Sequence, residues 1–146
     1  MPRMRQRRGG FSLIELMVAV VVMAILAAIA IPQYNRYSLR ARRADGQKLL
    51  LAIGNAEERY YAQQNKYADL KTIGFSATTT ATSDSGYYAA TVDVTAVNTF
   101  AAQAFKATAA PVAGGPQAKD ACLSLTYTNT GVKDQTGNAT TNGSCW

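Results

Sequence analysis

A long stretch without any charged or polar side chain constrains this sequence more than any other feature. It runs from Leu16 to Ile31 and ends at Pro32. Counted from Phe11 to Ile31, the N-terminal segment has 21 residues, and at about 1.5 Å per residue a helix of this length just crosses the hydrocarbon core of a bilayer. The sequence therefore predicts one membrane-spanning helix near the N-terminus.

The helical pattern resumes after Pro32, so we expect the proline to kink the helix near the membrane boundary rather than to end it. Further along, apolar residues recur at helical spacing while polar residues fall on other faces, the apolar set being Leu49, Ala52, Ile53, Ala56 and Tyr60. This half is predicted to be an amphipathic helix that packs on another element. Gly54 interrupts it at a cost of about 1 kcal/mol relative to alanine, which indicates close packing or local melting there. The pattern fades near Gln64.

After a loop rich in Thr, Ser and Gly, the pattern changes to that of short strands. We predict strands over Tyr87–Thr95, Phe100–Ala109 and Cys122–Thr128, and a short returning strand over Val132–Gln135. In the third strand Leu123, Leu125 and Tyr127 alternate with smaller or polar residues, which predicts that these three face the core. The sequence thus predicts an α+β fold in which an antiparallel sheet packs on the helix.

The net charge of +6 is concentrated at the N-terminus. Four arginines lie among the first ten residues, namely Arg3, Arg5, Arg7 and Arg8. Without these ten residues the chain has eleven basic and nine acidic side chains, a net charge of about +2. From Asn65 to the C-terminus five lysines and five aspartates cancel. The C-terminal region is therefore predicted to be close to neutral.

The two cysteines, Cys122 and Cys145, lie close together in the sequence near the C-terminus. No neighbouring Cys or His completes a metal site with them. A disulfide is their simplest use, and such a bond persists if this region is exported to an oxidising compartment. The alternative is two unpaired cysteines in the core.

Paired glycines, Gly9 and Gly10, separate the basic leader from the apolar segment, and Phe11-Ser12-Leu13-Ile14-Glu15 follows at once. An ordinary secretory signal is cut on the far side of its apolar region, whereas cutting at these glycines leaves the apolar region on the mature protein. This arrangement resembles the class III signal of type IV pilins. That signal combines a cleavage dipeptide, an aromatic first residue, an acid at the fifth mature position and an apolar helix.

The resemblance implies that a prepilin peptidase cleaves between Gly10 and Phe11, that Phe11 is N-methylated, and that such helices pack into a filament core. Glu15 is costly there, because a charge within a lipid-facing helix costs about 2.5 to 3.5 kcal/mol, and less near the helix end. The resemblance implies a partner for it, the N-terminal amine of Phe11 on an adjacent subunit. The alternative is an acid at the membrane interface, tolerated by water and by the helix dipole.

The second half of the chain is similar to PilE-type minor pilins, a family that also contains ComP-like DNA-uptake receptors. The similarity is carried by short segments, namely Arg40–Gly46, Glu58–Tyr61, Lys66-Tyr67, Gly86–Tyr88 and Cys145-Trp146. It implies the type IV pilin fold, with a long kinked N-terminal helix on a small antiparallel sheet. The implied function is a structural subunit, a minor pilin, of a fibre for motility, adhesion or DNA uptake. The alternatives are a ComP-like DNA-binding receptor and a type II secretion pseudopilin.

The predicted organisation has three parts: a cleaved leader over residues 1–10, a transmembrane and filament-core helix over residues 11–32, and an amphipathic helix with a sheet over residues 33–146. The expected partners are other pilin subunits, the prepilin peptidase and, before assembly, the inner membrane. We expect the leader in the cytoplasm and the C-terminal region in the periplasm, and later in an extracellular pilus. Four arginines lie on each side of the apolar run, so charge alone does not orient the chain.

Catalysis has little support in this sequence, because it contains no histidine to act as a base or a metal ligand. Glu57 and Glu58 are adjacent on a helix and point about 100° apart, so they do not form an opposed acid and base. We expect no catalytic residue, no metal and no cofactor.

Two groups of side chains raise the question of DNA binding. The arginines at positions 36, 40, 42 and 43 are predicted to form a solvated or intersubunit face rather than a DNA site. The tyrosines at positions 60, 61, 67, 87 and 88 could stack on bases, but this pattern is more typical of a helix–sheet core. Because the sheet region is near neutral, we expect at most weak DNA binding.

Overall fold

The computed structural model describes residues 10–97, 100–138 and 142–146. The chain falls into two compact units, the first ending at Asn35 and the second running from Arg36 to Trp146. One helix, α1 (Leu13–Gln64), begins in the first unit and continues into the second. Pro32 lies inside α1 and does not end it, as the resumption of the helical pattern predicts.

The part of α1 in the first unit is exposed along its whole length. Within the described residues, α1 is long enough and apolar enough to cross a membrane by the criteria of length and composition. This finding agrees with the span predicted from the apolar run.

The second unit contains a five-stranded antiparallel sheet in which each strand pairs with the next along the chain. The strands are β1 (Thr80–Thr82), β2 (Tyr88–Val97), β3 (Phe100–Pro111), β4 (Leu125–Thr128) and β5 (Lys133–Gln135). The pairing register places Ala81, Ala90, Ala109 and Leu125 in one row across four strands. All four side chains are buried, so this row marks the face of the sheet that packs on α1.

The core lies between this sheet face and the second half of α1. Leu49, Leu50 and Ile53 of the helix belong to the same buried cluster as Phe105 and Leu125 of the sheet. Each fully buried aliphatic side chain of this kind contributes roughly 1.5 to 3 kcal/mol relative to an exposed one. The predicted packing of an amphipathic helix on an antiparallel sheet is confirmed.

Two glycines let the helix approach tyrosines of the sheet. A Cβ atom on Gly54 would lie 2.5 Å from the Tyr127 ring, and one on Gly46 would lie 2.9 Å from the Tyr88 ring. Real Cβ atoms essentially never lie this close to another heavy atom, so an alanine at either position would force the tyrosine ring to move. Of the two interpretations of Gly54, close packing is therefore the correct one, because residue 54 lies within α1.

The strand predictions were correct in number and order for the last four strands but wrong at several boundaries. Residues 122–124 are not part of β4, which starts at Leu125. Leu123 has a φ of 52° and a side chain that is 48% exposed, whereas the alternating pattern predicted that it faces the core. A positive φ interrupts extended backbone, so the strand cannot begin before that residue.

Strand β1 was not predicted, because it lies within the polar Ser- and Thr-rich stretch that we interpreted as a loop. Its central residue, Ala81, is buried while Thr80 and Thr82 are exposed. Three residues of alternation are too short to distinguish from a loop by pattern alone. The pairing with β2 decides the conformation.

Candidate functional site

The N-terminal motif lies at the start of α1, in the first unit. Gly10 and Phe11 precede the helix, and Phe11 is 80% exposed. The Ser12 hydroxyl oxygen accepts a hydrogen bond of 3.2 Å from the backbone N–H of Glu15, which is the N-cap arrangement. The Ser-x-x-Glu spacing of a capping box was visible in the sequence and could have predicted this helix start.

The surface that follows Glu15 is an unbroken apolar one. Eleven large apolar side chains between Leu16 and Ile31 are exposed, each by 49% or more. A soluble protein rarely presents a contiguous apolar surface of this kind, because exposing it to water is unfavourable. This surface therefore requires lipid or other protein around it.

In the second unit, the most connected polar group is the side chain of Arg43. This side chain is 2% exposed and forms a bidentate ion pair with Asp120. Its Nε donates to Oδ2 at 2.7 Å and its Nη2 donates to Oδ1 at 2.6 Å. Its remaining nitrogen, Nη1, donates to the carbonyl oxygens of Asn142 at 3.0 Å and Ser144 at 2.8 Å. A guanidinium suits this site because its donors lie in a fixed plane that matches a carboxylate.

A buried glutamine extends this network across the unit. The Gln117 side-chain nitrogen lies 2.7 Å from the Asp120 carboxylate and 3.0 Å from the Tyr88 hydroxyl. It also lies 3.0 Å from the carbonyl oxygen of Leu39 in α1. Burial raises the pKa of Tyr88 to about 12, although the hydrogen bond from Gln117 opposes this shift. These hydrogen bonds therefore connect the segment after β3 to α1.

The C-terminal segment is held to one stripe of α1 by side-chain donors. Arg40 donates to the Asn142 side chain at 3.1 Å, and Gln47 donates to the Cys145 carbonyl oxygen at 2.9 Å. Together with Arg43, these residues are spaced by three and four positions and so lie on one face of the helix. The interpretation of Arg43 as part of a solvated or intersubunit cluster was wrong, because its side chain is buried and its partners, Asp120 and Asn142, belong to the same chain.

The structure contains the predicted disulfide between Cys122 and Cys145. Both residues are buried, and the Cα atoms are 5.7 Å apart. The disulfide joins the segment just after Asp120 to the C-terminal segment. The disulfide and the Arg43 network therefore hold the same region in place.

A second buried charge, Glu57, lies on the same helix face as Arg43. Its side chain is fully buried, and its Oε2 atom accepts a hydrogen bond of 3.3 Å from the Ala68 N–H. The Oε1 atom has no hydrogen-bond partner among the described residues. Burial raises the pKa of Glu57 to about 7, and the nearby Asp69 and Glu58 carboxylates add to this shift while the Ala68 hydrogen bond opposes it.

The tyrosines near Glu57 belong mainly to the core. Tyr67 stacks on Tyr61 with ring centroids 4.6 Å apart and meets Phe105 edge-on at 4.9 Å. Burial, together with a hydrogen bond of 3.0 Å to Glu58, raises the pKa of Tyr67 to about 12. Tyr67 and Tyr88 are buried, which supports the core interpretation over a stacking surface for bases.

We expect the second unit to lose stability as the pH rises from 5 to 8. Glu57 titrates near 4.5 when unfolded and near 7 when folded, so the folded chain binds more protons between these values. Its stability is highest below pH 4.5 and falls as the pH rises through 7, by about 2 to 3 kcal/mol. The chain has no histidine to obscure this effect.

Urea unfolding of the fragment Arg36–Trp146 at pH 5 and pH 8 measures this effect. Glu57→Gln should remove the pH dependence and stabilise the fragment at pH 8, because an amide is neutral at both values. Asp93→Asn, a change at an exposed strand position, is the matched control and should leave the slope intact. Equal pH slopes in the Glu57→Gln variant and the unmutated fragment would contradict the assignment.

Comparison with known proteins gives the family. Residues 32–126, more than half of the chain, match the family described as "Type IV minor pilin ComP, DNA uptake sequence receptor". Residues 5–31 match the prokaryotic N-terminal methylation motif. The chain belongs to the type IV pilins.

Curated relatives of this pilin include fimbrial proteins of several bacteria. It is 32% identical over 121 residues to the fimbrial protein EcpC of Eikenella corrodens, covering 82% of this pilin and 76% of the relative. It is 36% identical over 74 residues to the type IV major pilin protein PilA of Myxococcus xanthus, covering 50% of this pilin. The match spans only 34% of that relative's length.

A solved structure of a type IV pilin from Shewanella oneidensis has a similar fold. The TM-score is 0.50 at 25% sequence identity, and the alignment covers 74% of this pilin and 97% of the other chain. The predicted type IV pilin fold is confirmed by this likeness and by the helix on a five-stranded antiparallel sheet. Pilins are structural proteins, which agrees with the prediction that the chain is not an enzyme.

Proposed function

We propose that this pilin is a minor subunit of a type IV pilus. In this proposal the precursor is held in the inner membrane by residues 11–32, a prepilin peptidase cleaves it after Gly10, and Phe11 is then methylated. The mature subunit joins other pilins in a fibre, with the second unit outside the cytoplasm. Residues 1–9 of the predicted leader, which spans residues 1–10, lie outside the described residues.

The observation that carries this proposal is the exposed apolar surface of α1 on a chain that has the methylation motif. Lipid covers such a surface before assembly, and the helices of other subunits can cover it afterwards. The Cys122–Cys145 disulfide adds support, because disulfides persist in oxidising compartments outside the cytoplasm.

The proposal is tested by separating sheared fibres from membranes and analysing both by mass spectrometry. We expect the fibre fraction to contain the chain beginning at Phe11, with its N-terminal peptide heavier by one methyl group. A strain without prepilin peptidase should hold only the uncut chain, in the membrane fraction. An uncut chain that stays in the membranes of the unmutated strain would overturn the proposal.

DNA binding is a second candidate function, because the matching family is described as a DNA uptake sequence receptor. The ion pair between Arg43 and Asp120 favours it slightly. That pair neutralises Asp120. From residue 65 onward the chain then has five exposed lysines and four other aspartates. A small excess of positive charge of this kind supports weak binding through phosphates.

We expect the fragment Arg36–Trp146 to bind duplex DNA no tighter than about 1 μM at physiological salt, with affinity that falls as salt rises. Titration of labelled duplexes of different sequence by fluorescence anisotropy measures this. A shuffled duplex is the control and should bind equally well. Nanomolar binding with preference for one sequence would instead make the receptor the leading function.

A further inference from the structure

A cavity of about 390 Å³ opens in the second unit between α1 and the edge strand β1. We call it the β1 pocket. Six of the residues that line it are Asp45, Lys48, Leu49, Phe75, Ala81 and Asp84. Its volume lies in the range of sites that receive a small molecule or a side chain.

The lining of the β1 pocket is mixed, with apolar side chains beside two carboxylates, Asp45 and Asp84, that form no ion pair with any described residue. Leu49 and Ala81 are buried and Phe75 is half-buried, while Asp84 is exposed at the turn after β1. Asp45 accepts a hydrogen bond of 3.2 Å from the Ser85 N–H through Oδ1. Its buried Oδ2 has no hydrogen-bond partner among the described residues.

The cations of the part of the chain that the structure describes do not pair with these carboxylates. Among the described residues, the ion pair between Arg43 and Asp120 is the only one, so Lys48 at the pocket is not within ion-pair distance of either aspartate. Asp45, Asp84 and Lys48 therefore give the pocket a formal charge of −1, beside the apolar side chains of its lining. A long aliphatic side chain with a cationic end complements both properties, because its stem packs on apolar atoms and its end pairs with carboxylates.

We infer that the β1 pocket receives a lysine or arginine side chain of a neighbouring pilin subunit in the fibre. This inference rests on the proposed function, since assembly is what brings a second subunit to this face. Charge selects this occupant over nucleic acid, whose phosphates are repelled by Asp45 and Asp84. The pocket thus acts as a contact that favours subunits with a basic side chain at the matching position.

The test compares full-length variants expressed as the only copy of this pilin. Asp45→Asn with Asp84→Asn removes both charges, while the amide oxygen of residue 45 can still accept the Ser85 hydrogen bond. We expect the ratio of fibre to membrane subunit to fall about fivefold, because two ion pairs are lost. Asp93→Asn with Asp134→Asn removes the same charge elsewhere and should leave the ratio unchanged.

Thermal unfolding of the detergent-solubilised full chain shows whether the double variant is folded, and an unchanged melting temperature assigns the loss to assembly. Fibre recovery of the pocket variant at the unmutated level would overturn the inference, as would an equal loss in the control variant. An unmutated chain that is absent from fibres would instead overturn the proposed function, so the two failures are distinguishable.

Discussion

Subunits with Glu15→Val are expected to insert in the membrane and to be cleaved after Gly10, yet to be recovered in fibres at least about tenfold less than the unmutated subunit. The reason is that valine leaves the proposed partner of Glu15, the N-terminal amine of Phe11 on a neighbouring subunit, without a counter-charge. An unpaired charge in an apolar helix bundle costs about 2.5 to 3.5 kcal/mol even on lenient scales. A loss of 1.4 kcal/mol in an assembly equilibrium already corresponds to a factor of ten.

The proposed partner of Glu15 is the N-terminal amine of Phe11 on a neighbouring subunit. The pairing would select one axial position, because a subunit docked out of register leaves the carboxylate facing hydrocarbon. The surrounding Leu, Val, Ile and Ala side chains by themselves would accept many registers. Glu15→Gln keeps the size of the side chain and loses the charge, so it should be defective as well.

The measurement is the amount of processed subunit in sheared fibres relative to membranes, with each variant as the only copy. Met17→Val changes the exposed apolar surface nearby without touching a charge, and this control should assemble normally. Processed Glu15→Val subunit in fibres at the unmutated level would show that Glu15 is only an interfacial acid.

Arg43→Met is expected to destabilise the second unit by about 3 to 5 kcal/mol. The substitution leaves the Asp120 carboxylate buried without its cation, and a lone buried charge is strongly unfavourable. It also leaves the carbonyl oxygens of Asn142 and Ser144 without the donor that they have in the structure. A domain of this size has a total stability of about 5 to 15 kcal/mol, so much of its stability would be lost.

Urea unfolding of the fragment Arg36–Trp146 measures this loss, and Arg40→Met is the matched control. Arg40 lies one turn earlier, is exposed, and makes one hydrogen bond to Asn142, so we expect a loss below about 1 kcal/mol. Adding Asp120→Leu to Arg43→Met should recover part of the stability, since no charge is then buried alone. If Arg43→Met cost no more than Arg40→Met, the network would not stabilise the unit.

The features that the sequence predicted correctly are those that depend on neighbouring positions. The apolar run specifies a helix long enough to cross a membrane, because a spanning helix satisfies its own backbone hydrogen bonds. Of the predicted apolar set, Leu49, Ile53 and Ala56 are buried, whereas Ala52 is exposed and Tyr60 is half-buried, so the spacing identified most of the buried face. The cysteine pair was also predictable, since the chain offers no other partner for either residue.

The sequence contains a signal that Arg43 and Glu57 are buried, but this signal is ambiguous. Arg43 and Glu57 lie at the two ends of the buried stripe that contains Gly46, Leu50 and Ile53, with the spacing of three and four that marks one helix face. Charged residues on such a face are usually solvated at its border. The spacing therefore points to burial, while the residue type points to solvent, and the sequence does not decide between them.

The tertiary structure decided these cases, because the groups concerned are satisfied by distant partners. Arg43 is buried since Asp120, 77 positions away, and the C-terminal carbonyl oxygens surround it. Strand β1 exists because β2 pairs with it, and Leu123 faces solvent because its backbone turns before β4 begins. A local pattern determines which residues prefer burial, whereas the closing of long loops determines which polar groups can meet and so be buried without penalty.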